Sequence, residues 1–226
     1  ILSLYVIRLR FGPFAPKFQF TVWWNFLSRS APIGLGVIFS VLYFRLDIVM
    51  LQLMTDDRVV GFYSAAYKLF EVVVVLPHSL MIVLFPSLVK EFHTDRGKFE
   101  ASLKKAFTVF FVVGSSIALV FFGFSNKVIG LIYGNDFLFS IKVLDVLAIA
   151  ISLSFVIFLL SNILIVSGWE MTNTWSLVGA STLNIVLNLA WIPAYGAIGA
   201  AWATVVCEIV LIGVLGFQSR KLWKSS

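Results

Sequence analysis

The sequence predicts an all-α, polytopic membrane protein with six transmembrane helices. Composition is the first reason: 60% of the 226 residues are hydrophobic, 12% are charged, and mean hydropathy is +1.00. A soluble domain of this size has too little polar surface to cover so many apolar side chains. The second reason is spacing, since apolar runs of about 20 residues recur between short polar connections. The third is the distribution of basic residues, which alternates from one connection to the next.

The opening ILSLYVI is apolar and then turns basic at Arg8 and Arg10. It lacks a starting Met and a basic leader region, so residues 1–10 read as the tail of a preceding transmembrane helix rather than a signal peptide. Pro13 and Pro16 break the pattern, and residues 11–30 read as a cytoplasmic or interfacial linker. Within it, Phe18 to Ser30 mixes Trp23 and Trp24 with Gln19, Asn25 and Arg29. Indole rings favour the headgroup level, so an in-plane interfacial helix is expected there, with plain loop as the alternative.

Residues 31–217 then hold the six-helix lobe. The first span is Ala31 to Met54, with Pro32 near its start, and the second is Val59 to about Pro86, with a kink expected at Pro77. Lys90 to Lys105 is charged and reads as an aqueous connection. The third span, Ala106 to Phe124, has Gly114, Ser115 and Ser116 at its middle. A mixed linker, Asn126 to Ser140, leads to the fourth span, Ile141 to Gly168. The fifth runs from Thr172 to Ile192, a tight PAYG turn follows, and the sixth is Ala197 to Phe217. Residues 218–226 are a polar tail.

If Arg8 lies in the cytoplasm, that side collects 12 of the 17 basic residues: Arg8, Arg10, Lys17, Arg29, Lys90, Arg96, Lys98, Lys104, Lys105, Arg220, Lys221 and Lys224. The opposite side holds 3, namely Arg58, Lys127 and Lys142, leaving Arg45 and Lys68 within the membrane. The positive-inside rule then puts both ends of the chain in the cytoplasm.

The organising stretch is Tyr43 to Glu71, YFRLDIVMLQLMTDDRVVGFYSAAYKLFE, which reads as two helices joined by an acidic turn. Pairing about Asp56 and Asp57 sets Arg45 level with Lys68 and Asp47 level with Ala66, with Glu71 about one turn deeper. Each such charge costs roughly 2.5–3.5 kcal/mol at a helix centre, so the four must meet one another or line water. With Glu208 on the sixth span, three acids face two bases, and the remaining carboxylate is expected to bind a proton or hold a cation. Asp47 and Glu208 are the candidates. Two readings stay open, a functional cavity or a static ion-pair network. Arg45 and Asp47 point about 200° apart on their helix, whereas Lys68 and Glu71 share a face. Arg45 is thus expected to face the cavity with Glu71 holding it, while Asp47 turns toward Lys68 or a neighbouring helix.

On the fifth span Ser181, Asn184 and Asn188 share one face, as interhelical glue or as cavity lining. On the sixth, Gly199, Ala203 and Cys207 form a small-residue stripe suited to close packing, beside a second stripe of Ala200, Thr204 and Glu208. His78, after Pro77, reads as a structural histidine or a proton relay. Catalytic and metal motifs such as G-x-S-x-G, H-E-x-x-H and Walker A are absent from the sequence, no enzyme or resident cofactor is expected, and the basic residues are loop charges rather than a nucleic-acid surface.

Three stretches resemble the polysaccharide flippase family (O-antigen and teichoic-type exporters) of the multidrug, oligosaccharidyl-lipid and polysaccharide exporter superfamily. Tyr43 to Glu71 is similar to the family's seventh span, its turn and the start of the eighth. LPHSLMIVLFPSLVKEF is similar to the continuation with its paired prolines, and LNIVLNLAWIPAYGAIGAAWATVVCE to the eleventh and twelfth spans. Together they cover about 70 of 226 residues.

The resemblance implies a fold of two six-helix lobes, of which this chain supplies the second, its partner lobe preceding Ile1. It implies alternating-access movement of a polyprenyl-pyrophosphate-linked saccharide across a prokaryotic cytoplasmic membrane, coupled to H+ or Na+. Arg45 matches a cationic cavity residue and Asp47 the acid of the seventh span. Lys68, Glu71, Asn184 and Asn188 complete the candidate cavity set. A cation-coupled multidrug antiporter of the same superfamily is the alternative. A membrane enzyme acting on lipid-linked saccharides is a further one, but Thr55 to Arg58, Ser125 to Ser140 and Pro193 to Gly196 are poor in catalytic groups.

Overall fold

A computed structural model describes residues 19–224, so the expected helix tail at 1–10 and the proline break at Pro13 and Pro16 lie outside the described residues. The chain divides into two compact units, residues 1–32 and 33–226. What is described of the first unit is helical from Phe20 and exposes Trp23, Trp24 and Phe26.

The elements are α1 (Phe20–Met54), α2 (Asp57–Thr94), α3 (Arg96–Ile132), a 3-10 turn (Asn135–Phe137), α4 (Phe139–Val166) and α5 (Glu170–Lys224). The helix expected at 18–30 is present but runs on into the first span, so Pro32 falls inside α1. The charged connection expected between Lys90 and Lys105 is itself helical, broken only at Asp95. There the Asp95 N–H still closes the last turn of α2 on the Glu91 carbonyl at 2.9 Å. Its carboxylate meanwhile accepts from the Lys98 N–H at 3.0 Å, opening α3. A single aspartate therefore ends one helix and starts the next. Asp56 starts α2 in the same way, accepting from Val59 N–H at 2.9 Å.

Helices α2 to α5 are each long and apolar enough to cross a membrane. At 55 residues α5 would span about 80 Å if straight, far more than one crossing. It is not straight. Gly196 takes φ +56° and ψ −133°, outside helical space. A Cβ on Gly199 would lie 2.5 Å from the Trp191 carbonyl oxygen, and Ser176 Oγ meets Gln218 Oε1 at 3.1 Å. Residues so far apart in sequence touch only if the chain folds back, so residues 170–195 and 197–224 are two antiparallel arms, and the described residues hold six long helical segments. The expected PAYG turn is this reversal.

Helix α4 organises the packing, lying against α2, α3 and α5. Its sequence is apolar around its whole circumference, which suits a helix with neighbours on all sides. Val143, Leu144, Leu147, Ile151, Phe155 and Leu159 are fully buried along it. Gly114 gives α3 its approach: a Cβ there would sit 2.9 Å from Phe155. One residue on, Ser115 Oγ and Ser152 Oγ are 2.9 Å apart, so the polar centre of the third span is an α3–α4 contact. Cys207 is buried in a small apolar cluster with Leu164, Ala180, Leu211 and Leu215. The stripe of Gly199, Ala203 and Cys207 thus serves packing.

Candidate functional site

The candidate site residues of the membrane spans separate into an exposed set and a buried one. The first is exposed and charged. Arg45 Nη2 donates to Glu71 Oε1 in a short ion pair, and Lys68 Nζ lies 3.9 Å from Glu71 Oε2. These three side chains are 51%, 35% and 69% exposed, so an incoming group can reach them. Two bases share one acid, leaving a net charge of +1 on this face. The guanidinium needs only part of its fork for Glu71, which leaves donors for a second anion.

The second site is buried. Asp47 is 2% exposed and accepts three side-chain hydrogen bonds: from Tyr63 OH at 2.7 Å, Asn188 Nδ2 at 2.6 Å and Thr204 Oγ1 at 2.6 Å. Asn188 Nδ2 also donates to Asn184 Oδ1 at 3.0 Å, and Thr204 Oγ1 lies 3.2 Å from the Ala200 carbonyl. The node thus joins α1, α2 and both arms of α5. Two of its atoms, Asn184 Nδ2 and Asn188 Oδ1, are buried without a partner. Glu208 is 1% exposed and accepts from Ser154 Oγ at 2.5 Å through Oε1, while its Oε2 is buried and unpartnered.

The helix explains this division. Arg45 and Asp47 stand on opposite faces of α1, and the buried positions Met50 and Leu51 continue the Asp47 face. Asp47 turns to neighbouring helices, α2 and both arms of α5, which is one of the two directions expected for it, while Lys68 faces outward with Glu71. One expectation is corrected. Two acids, not one, lack a basic partner among the described residues, since Glu71 takes both bases and leaves Asp47 and Glu208. The expected Arg45–Glu71 pairing is present, and Ser181, Asn184 and Asn188 are all buried on the face assigned to them.

Tyr63 was not among the sequence candidates. It lies one turn from Ala66, the position level with Asp47, so the antiparallel register pointed to its neighbourhood. Ser154 carried no signal, because a serine in an apolar run is ordinary. His78 is exposed, its ring edge-on to Phe158.

The node offers oxygen atoms from a carboxylate, two amides and two hydroxyls. Among the described residues no three His, Cys, Asp or Glu side chains converge. Rotating the Asn188 amide would exchange its donor for the unpartnered Oδ1 and turn an anion cradle into a cluster of acceptors.

Comparison with known proteins follows the same lines. The family described as "Polysaccharide biosynthesis protein" matches residues 1–92. A probable low-salt glycan biosynthesis flippase, Agl15 of Haloferax volcanii, is 23% identical over 189 residues, covering 80% of this chain and 38% of that protein. An outward-facing multidrug resistance transporter of the MATE family, in the MOP superfamily, superposes with a TM-score of 0.75 at 17% identity, covering 83% of this chain and 43% of that one. The lipid II flippase MurJ in an inward closed conformation gives 0.73 at 19% identity, covering 97% and 48%. The fold is that of one lobe of these transporters. The resemblance to the polysaccharide flippases thus holds in sequence and in fold. The chain spans less than half the length of each of these relatives.

Proposed function

We propose that this chain is one lobe of a flippase that moves a polyprenyl-pyrophosphate-linked oligosaccharide across a prokaryotic cytoplasmic membrane by alternating access. The second cavity wall comes from an N-terminal lobe. The observation that carries the reading is the accessible Arg45, held by Glu71 and flanked by Lys68 on one face of the α1–α2 pair. Glu71 keeps the guanidinium ordered without substrate, and a pyrophosphate competes with Glu71 for it. On release the ion pair re-forms. A net positive face favours an anionic lipid-linked substrate over an apolar cationic drug, and a planar fork favours phosphate oxygens in particular.

Asp47 is the residue we assign to coupling, with Glu208 as the second candidate. A proton or Na+ taken up at Asp47 would neutralise a buried carboxylate whose desolvation is otherwise met only by hydrogen bonds. Because the Asp47 partners lie on α2 and both arms of α5, any change in their hydrogen bonding is felt by three helical segments together.

The test is flipping of a lipid-linked oligosaccharide by the full-length protein in proteoliposomes. Arg45→Ala should abolish flipping while abundance stays near wild type. Arg45→Lys should restore only part of it, since ammonium lacks the bidentate fork. Full activity with Arg45→Ala would remove the assignment.

A further inference from the structure

Away from the polar sites, an open groove of about 710 Å³ runs between α3, α4 and the second arm of α5. Its walls are apolar: Leu103 and Phe107 from α3, Leu160 and Ile163 from α4. Lys104 and Arg220 stand at its rim, both exposed, and neither meets an acid among the described residues. The two hydroxyls in the lining are already committed to their own helices. Thr108 Oγ1 donates to the Lys104 carbonyl at 3.0 Å and Ser219 Oγ to the Leu215 carbonyl at 2.8 Å. Among the described residues of the lining, the free side-chain donors are therefore its two cations.

We infer that this groove is a binding site for an anionic phospholipid of the leaflet on the Asp95 side, its phosphate between Lys104 and Arg220 and its acyl chains along Phe107, Leu160 and Ile163. Lys104 lies nine residues into α3 from Asp95, at the end where α2 turns into α3, so its charge stands where a headgroup would. The apolar walls continue toward the middle of α3 and α4, where acyl chains run. A zwitterionic lipid offers the same chains but adds an ammonium that the two cations repel. A soluble anion would use the cations and leave the walls bare. Phospholipid with net negative charge is the occupant that uses both features. The inference is independent of what the protein transports, because the groove shares no helix with Arg45, Lys68 and Glu71.

Native mass spectrometry of the purified full-length protein, titrated in detergent with phosphatidylglycerol or phosphatidylcholine of matched chains, tests this. Phosphatidylglycerol should bind at least tenfold more tightly. Lys104→Gln with Arg220→Gln should weaken it on the order of ten- to thirtyfold, as two interfacial charges imply, and leave phosphatidylcholine unchanged. Thr108→Phe, at an exposed position, should fill the groove and weaken phosphatidylglycerol without lowering thermal stability. Lys90→Gln with Lys98→Gln removes equal charge from the same end outside the groove and should change affinity less than twofold. Equal affinity for the two lipids, equal loss in the control pair, or no effect of Thr108→Phe would overturn the site. Tighter binding of a polyprenyl monophosphate than of phosphatidylglycerol would also overturn it, because the groove would then belong to the carrier lipid.

Discussion

Arg45 and Asp47 are two positions apart on α1, and that spacing turns one outward and the other into the lobe. The outward residue meets Glu71, which Lys68 also approaches; the inward one meets Tyr63, Asn188 and Thr204. Their expected phenotypes differ accordingly. Asp47→Asn keeps the shape and removes the charge, so folding should survive while dependence of flipping on an H+ or Na+ gradient is lost. An undiminished gradient dependence in that variant, measured in proteoliposomes, would exclude Asp47 from coupling. Glu208→Gln is expected to keep the Ser154 hydrogen bond and fold normally. Its effect on gradient dependence ranks Glu208 against Asp47. The residue-scale division was partly legible in the sequence. Helical angle alone separated Arg45 from Asp47, and pairing about the acidic turn brought Glu71 to Arg45. Tyr63 and Ser154 were not legible, because choosing one polar partner among several requires the rotation of each helix about its axis. Periodicity leaves that rotation open in helices that are apolar on nearly every face.

At the scale of elements, the helices are set by a few residues with strict geometric demands. Gly196 holds a backbone conformation at φ +56° that side chains rarely adopt, and Gly199 faces the Trp191 carbonyl across the reversal. Gly196→Ala should lower stability by about 1–3 kcal/mol, the usual size of such backbone strain, read as a lower unfolding temperature in detergent. Gly114→Ala should also destabilise, because its new methyl must displace Phe155. The Asp95 carboxylate is held below its ordinary range by the Lys98 N–H and then the Lys98 side chain. A group whose folded pKa is depressed contributes stability above its unfolded value and loses it as pH falls. The α2–α3 corner should therefore keep its hydrogen-exchange protection at neutral pH and lose some only in acid, below about pH 4. Asp95→Asn, which can still cap, should abolish that acid dependence. Element limits were the less legible part of the sequence. Charge marked Lys90 to Lys105 as aqueous, which composition suggested would be loop, yet a helix continues through water as long as its backbone bonds are made. The signal for the break was the single capping residue Asp95.

At the scale of the whole molecule, six long helical segments among the described residues, the central position of α4 and likeness to one lobe of two solved transporters agree with the fold class read from composition and spacing. Apolar run length made that class legible, since a membrane admits few alternatives to helices. Orientation is an inference from charge. Cysteines placed at Asp56 should react with impermeant reagents from outside and those at Asp95 only from the cytoplasmic side. The reverse pattern would invert the lobe in the membrane. The central claim, that Arg45 serves substrate rather than a static ion pair, is tested most directly by flipping of lipid-linked oligosaccharide in the full-length Arg45→Ala, Glu71→Ala double variant. If Arg45 grips the pyrophosphate, the double variant stays as inactive as Arg45→Ala alone. If the pair is only structural, removing Glu71 together with Arg45 removes the carboxylate that lost its closer partner and flipping returns, which would contradict the account.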